Sequence, residues 1–133
     1  MSKGGQEVQE SSKPCRVAVS CKGDSIDSEV ASIGQSTHFI VFEGSPEKFR
    51  AVENEAKGQG SESGTKAAGL LRSMGINIVI TGTLGQRGFE AFDRAGIMVH
   101  AGCSGKVRES VQKCLRGELP KCRGATYTGY IGF

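Results

Sequence analysis

The chain has 133 residues, 37% of them hydrophobic and 23% charged, with a formal net charge of +3 at pH 7. That length suits one domain able to bury about two-thirds of its unfolded surface, while the near-balanced charge and missing tryptophan give no support to a nucleic-acid partner. The longest apolar run falls far short of the roughly 20 residues of a membrane span, and the first residues lack an apolar signal core, so a cytoplasmic protein without a membrane partner is expected.

Residues 1–13 are rich in Ser, Gly, Gln, Glu and Lys and are expected to form a disordered N-terminal tail. Residues 14–120 are expected to form one α/β domain. The first strand is placed at residues 15–20, a short β-branched run that suits an inner strand. Cys21 then opens a turn-rich stretch in which Asp24 and Asp27 can cap local turns. Ile33 is the anchor of an irregular segment. The second strand covers residues 38–43. Residues 49–53 form a third, paired with the second as a hairpin across Gly44 and Pro46, with a short helix as the competing reading. Residues 54–63 are rich in Gly and Ser and are expected to form a flexible flap.

Three amphipathic helices follow. Ala67, Leu71 and Met74 share a face of the first, Phe89, Phe92 and Ala95 of the second, and Val107, Val111, Cys114 and Leu115 of the third. Gly75, Gly96 and Gly117 stand just past them as C-terminal caps, since glycine accepts positive φ. Ser104 is expected to cap the start of the third helix. Strands at residues 76–81 and 97–100 flank the second helix and are therefore parallel neighbours, whereas the first three strands suit an antiparallel meander. Residues 121–133 are read as a loosely ordered C-terminal tail, although Tyr127, Tyr130 and Phe133 could dock on the body or on a partner.

Several segments in this order match a known pattern: Val17-Ala-Val in the first strand, then Gly34-Gln-Ser-Thr-His-Phe-Ile-Val-Phe and Asn54, then Gly64-Thr-Lys-Ala-Ala-Gly-Leu-Leu. Gly75-Ile-Asn-Ile-Val-Ile-Thr-Gly-Thr-Leu-Gly85, Ala95-Gly-Ile-Met-Val and Gly105-Lys-Val-Arg-Glu-Ser complete it. Over residues 15–119 the chain resembles the dinitrogenase iron–molybdenum cofactor biosynthesis family, the small NifX-like domains. The resemblance implies a ribonuclease H-like, three-layer α/β fold with a mixed five-stranded sheet in the order 3-2-1-4-5 and about three helices. It also implies a role in carrying or delivering iron–molybdenum cofactor precursors; one relative binds a molybdenum–copper sulfide cluster. One segment departs from the family pattern. A Phe-Gly-Arg-Ala stretch often precedes the second strand, but Ile33-Gly-Gln-Ser stands here, without the arginine.

With that sheet order, Cys21, the start of the second strand at His38, residues 82–88 and residues 100–105 converge on one edge. Thiolate and imidazole suit copper, zinc or an iron–sulfur species, so Cys21, His38 and Cys103 are the expected metal contacts. The competing reading is burial of small apolar thiols and a histidine on a strand surface. Cys114 reads as core, and Cys15 and Cys122 as non-functional. Residues 82–88 follow a strand and open a helix, so free N–H groups and the helix dipole there favour an anion. A sulfide cluster is itself anionic. Gly82, Thr83, Gly85 and Arg87, with Gly102 and Ser104 from the adjoining turn, are the expected cofactor-binding set. A compact turn alone would also account for these glycines, and the spacing is neither Gly-x-Gly-x-x-Gly nor a P-loop.

Catalysis finds little footing. The inner strands carry no carboxylates for a two-metal nuclease, and no Gly-x-Ser-x-Gly or His-Glu-x-x-His occurs. The expected function is a small non-enzymatic binding or carrier domain for an iron–sulfur or molybdenum-containing cluster or its precursor, with cluster-assembly or acceptor proteins as partners. The alternatives are an interaction module in metallocluster assembly that binds no metal, and a thiol-redox protein using Cys21 and Cys103.

Overall fold

The computed structural model describes residues 15–119, so the expectations for the two tails and for Cys122 lie outside the described residues. Five strands, β1 (Arg16–Cys21), β2 (His38–Glu43), β3 (Phe49–Glu53), β4 (Ile78–Ile80) and β5 (Met98–His100), form one mixed sheet in the order β3-β2-β1-β4-β5. The expected order and the three helices are therefore present. β1 pairs antiparallel with β2 and parallel with β4, β2 pairs antiparallel with β3, and β4 pairs parallel with β5. Residues 49–53 are a strand, which settles the choice between strand and helix.

The helices are α1 (Ser63–Ser73), α2 (Gln86–Arg94) and α3 (Val107–Leu115). Strand alternation sorts side chains into two cores. Ala18, Phe39, Val41 and Val79 pack with Ala67, Ala68 and Leu71 of α1 and Phe92 of α2. On the other face Val17, Val19, Cys21, Ile40 and Ile80 pack under Val107 and Val111 of α3. The sheet is thus sandwiched between α1–α2 and α3. Gly75, Gly96 and Gly117, just past the three helices, all take positive φ, between 72° and 77°, as their role of stopping a helix requires.

Two local expectations change. α3 starts at Val107, after Lys106 at its N-cap, with no side-chain cap, so Ser104 does not cap it. Its first N–H groups are instead taken by the 22–29 turn: Val107 N–H donates to the Ser28 carbonyl (3.0 Å) and Arg108 N–H to that of Ile26 (2.9 Å). Leu115 is exposed rather than on the buried stripe.

The 54–63 segment, expected as a flexible flap, is tied to the body. Asn54 is buried; its Nδ2 donates to the carbonyls of Ile33 (2.7 Å) and Ser36 (2.9 Å), and its Oδ1 accepts from Ala56 N–H (2.9 Å). Ala56 reaches the core, Gly58 N–H donates to Gly34 O (3.1 Å), and a 3-10 turn over Gly60–Glu62 leads into α1.

Candidate functional site

The edge where β1, β4 and β5 end is held by a buried hydroxyl cluster. Ser20 Oγ donates to the Ala31 carbonyl (2.6 Å) and lies 2.8 Å from Thr81 Oγ1. The same carbonyl accepts from Ser36 Oγ (3.2 Å), whose hydroxyl also reaches Ser32 O (2.8 Å). With Ala31 N–H donating to Ser20 O (3.0 Å), this clamps the Ala31–Ser32 backbone over the strand ends. The turns after β4 and β5 lie side by side: Gly102 N–H donates to Gly82 O (2.7 Å) and Cys103 N–H to Thr81 O (3.1 Å).

A cleft of about 380 Å³ opens on the α1–α2 side of this edge. Ser32 and Gly34 form one wall, Ser63 and Gly64 at the start of α1 another, and Thr83 to Gly88 the third. Thr83 anchors its wall: its N–H donates to Ser32 Oγ (3.0 Å), and the two hydroxyls are 2.8 Å apart. α2 starts after Gly85, which offers no side-chain cap, and its ladder begins with Phe89 N–H to Gly85 O (2.9 Å). The N–H groups of Arg87 and Gly88 precede that ladder and sit at the positive end of the helix dipole.

Two glycines set the cleft's shape. A Cβ on Gly64 would come within 2.6 Å of Gly88 Cα, and one on Gly88 within 3.2 Å of Gly64 Cα and 2.7 Å of Leu84 Cδ1. The first turns of α1 and α2 therefore meet backbone to backbone. Among the described residues lining the cleft, Arg87 is the one charged side chain. Its guanidinium is held at the mouth by the Glu62 carboxylate, and both side chains are largely exposed. Ser63 is 4% exposed, and its Oγ is buried without a hydrogen-bond partner.

Of the cofactor-binding set, Thr83, Gly85 and Arg87 line this cleft. Gly82 does not line the cleft but stands behind its Ser32 wall, where an added Cβ would be 3.0 Å from Ser32 N and Oγ. Gly102 touches Gly82 through the backbone but is not in the cleft wall, and Ser104 is exposed on the loop before α3.

Cys21, His38 and Cys103 are at the same edge but across the sheet. Cys21 and His38 are cross-strand partners in β1 and β2 and so project to one face. Cys21 is buried in the core beneath α3, and Cys103 packs against that core. The Cys21 thiol faces the carbonyls of Gly23 (3.1 Å) and His38 (3.7 Å), and the Cys103 thiol those of His100 (3.7 Å) and Ala101 (4.0 Å). Burial pushes both thiols above their ordinary values; a backbone hydrogen bond at Gly23 partly offsets this at Cys21, and the Lys113 charge at Cys103. His38 Nδ1 is 2.9 Å from Thr37 Oγ1. Among the described residues, no group of three or more His, Cys, Asp or Glu side chains is arranged to hold a metal ion.

Sequence reasoning missed Ser32, Gly34 and Ser63. The first two lie in a stretch without periodicity and the third at the end of a loop, so no pattern marked them. The one signal was the family's missing arginine, which falls beside Gly34.

The sequence profile described as dinitrogenase iron–molybdenum cofactor matches residues 15–117. Among solved structures, the chain is similar to the apo form of the orange protein from Desulfovibrio gigas, with a TM-score of 0.77 and 29% identity over 84% of this chain and 95% of that one. It is also similar to a protein from Thermotoga provisionally assigned as NifB, with a TM-score of 0.64 and 25% identity over 80% and 92% of the two chains. An uncharacterised protein of Methanocaldococcus jannaschii is 28% identical over 91 residues, 66% of this chain and 77% of its own length. Among the described residues, no helix is long and apolar enough to cross a membrane.

Proposed function

The chain belongs to the dinitrogenase iron–molybdenum cofactor family over residues 15–117, and on that footing we propose that it is a small non-enzymatic binding or carrier domain for an anionic iron–sulfur or molybdenum-containing sulfide cluster or its precursor. One observation carries the reading. The cleft of about 380 Å³ combines the N-terminus of α2 with the Arg87 guanidinium and is otherwise lined by glycines, hydroxyls, one amide and apolar groups. Such a site attracts negative charge without supplying a general base or a nucleophile poised for chemistry. A cluster held by backbone N–H groups and one guanidinium can be released intact to an acceptor, which is what a carrier needs. Its partners would be cluster-assembly or acceptor proteins.

A second mode of holding the cluster, direct ligation by Cys21, His38 and Cys103, is favoured by their common position on the α3 side of the edge. It requires the two thiols to leave their carbonyl acceptors and lose protons that burial retains. The same protonated state weighs against a thiol-redox role, since reactive cysteines have lowered pKa values and open surroundings.

The test is anaerobic reconstitution of the metal-free protein with iron, sulfide and molybdate, followed by metal analysis and visible spectroscopy. A stoichiometric coloured species that survives Cys21→Ser with Cys103→Ser and is lost in Arg87→Gln supports cleft binding. Loss with the cysteine pair and retention in Arg87→Gln selects thiolate ligation. No bound metal in the wild-type protein refutes the carrier reading and leaves the metal-free interaction module.

A further inference from the structure

Ser63 Oγ is an anomaly. Buried polar groups in folded proteins nearly always have a partner, yet this hydroxyl has none among the described residues, in a residue that is 4% exposed. It lies at the junction of two cleft walls, 3.3 Å from where a Cβ on Gly34 would stand. On the adjoining wall are the N–H groups of Arg87 and Gly88 at the start of α2, which Gly85 leaves without a side-chain cap. The close meeting of Gly64 and Gly88 brings that helix start against the first turn of α1.

We propose that this inner end of the cleft is a seat for a single tetrahedral oxo- or thio-anion, with Ser63 Oγ–H, the Arg87 and Gly88 N–H groups and the Arg87 guanidinium as its donors. Molybdate, tungstate, tetrathiomolybdate, sulfate and phosphate share the required shape and charge. The proposal deepens the cluster-binding reading and rests on the same cleft. It states that the cleft recognises a mononuclear anion on its own, before or apart from any cluster. It also gives the Glu62–Arg87 pair a role: the Glu62 carboxylate is the internal anion that an incoming one displaces from the guanidinium. All four groups can donate to an anion, and apart from the Ser63 hydroxyl, which can also accept, the two backbone N–H groups and the guanidinium are donors only and offer nothing to a cation.

The full-length, metal-free protein is titrated calorimetrically with each of the five anions, and amide shifts are followed by NMR. The expected result is one site for at least one anion, with the largest shifts at Arg87 and Gly88 and affinity falling as salt rises. Ser63→Ala should weaken binding by about tenfold without lowering the melting temperature, because it removes an orphaned polar group. Glu62→Gln should tighten binding about twofold to threefold by freeing Arg87. Gly34→Ala, which fills the space beside Ser63, should abolish it. Preference for molybdate, tungstate or the thiomolybdate over sulfate and phosphate assigns the seat to metal delivery; the reverse preference assigns it to a sulfate- or phosphate-bearing ligand. Absence of binding by all five at millimolar concentration overturns the proposal, as does wild-type affinity in Ser63→Ala. If a cluster is reconstituted while no mononuclear anion binds, the seat is refuted and the carrier reading stands. If an anion binds while no cluster is held, the carrier reading falls and the seat remains.

Discussion

Glycines that look alike in the sequence do different physical work. Gly64 and Gly88 let two helices touch through their backbones. Gly64→Ala would drive a methyl to 2.6 Å from Gly88 Cα, which only a backbone shift relieves, whereas Gly88→Ala meets chiefly the end of the Leu84 side chain at 2.7 Å. Both should destabilise by about 1–3 kcal/mol, with Gly64→Ala the worse. Gly69 lies mid-helix in α1 with nothing within 4 Å of an added Cβ, so Gly69→Ala should stabilise by about 0.5–1 kcal/mol. Urea unfolding of the three variants checks the order. The lack of a side chain at Gly88, inside α2, is thus a requirement of packing between two helices, while its N–H remains part of the cleft. Asn54 is a second residue whose meaning lay outside the sequence pattern. An asparagine before a Gly/Ser-rich stretch reads as a loop opener, yet here it joins the loop to the 33–36 segment. Asn54→Ala removes three hydrogen bonds, those to the Ile33 and Ser36 carbonyls and that from the Ala56 N–H, with the Ile33 carbonyl keeping the Ser36 N–H, and should cost about 2–4 kcal/mol, read as a lower urea midpoint.

At the scale of elements, legibility followed periodicity. The three helices and their glycine stops were readable because a buried stripe repeats every three to four residues, and a residue with positive φ must follow. The helix starts were not readable in the same way. α3 takes its first acceptors from the carbonyls of Ile26 and Ser28, far away in sequence, and a backbone carbonyl leaves no residue-type signature. Arg108 completes that junction with a two-pronged contact to Asp27, Nε to Oδ1 at 2.7 Å and Nη2 to Oδ2 at 3.1 Å. The hydrogen bond from Arg108 lowers the Asp27 pKa. Any stability this contributes is present above the ordinary carboxylate value of about 3.9 and is lost as pH falls through the lower folded value. Asp27→Asn should therefore flatten the melting temperature's fall below about pH 4, as followed by circular dichroism. Because the pair is exposed, the larger consequence is positional: the 22–29 turn stays docked on α3.

For the whole molecule, the sheet is the divider that the linear reading underused. Convergence on one edge was legible from strand order, but the edge has two sides. Strand parity already separates them: Cys21 has the parity of Val17 and Val19, which face α3, and Ser20 that of Ala18, which faces α1 and α2. The thiol group and the cleft therefore belong to opposite layers, and their pH behaviour should differ in sign and kind. Burial raises the Cys21 and Cys103 pKa values, so both thiols stay neutral in the fold beyond the pH at which the unfolded chain loses its protons. Their contribution to stability is intact below about 8.5, the ordinary thiol value, and drains away as pH rises through the folded values. A metal held by these thiols must expel their protons, so its affinity would climb with pH up to those folded values. An anion held in the cleft by N–H groups and Arg87 exchanges no thiol proton, and its affinity should be nearly flat from about pH 6.5 to 8.5 while dropping with ionic strength. Measuring reconstituted-cluster affinity across that pH range, at two salt concentrations, places the cargo in one layer or the other. We expect the flat, salt-sensitive profile. A profile that rises with pH and ignores salt would move the cargo beneath α3, to Cys21 and Cys103.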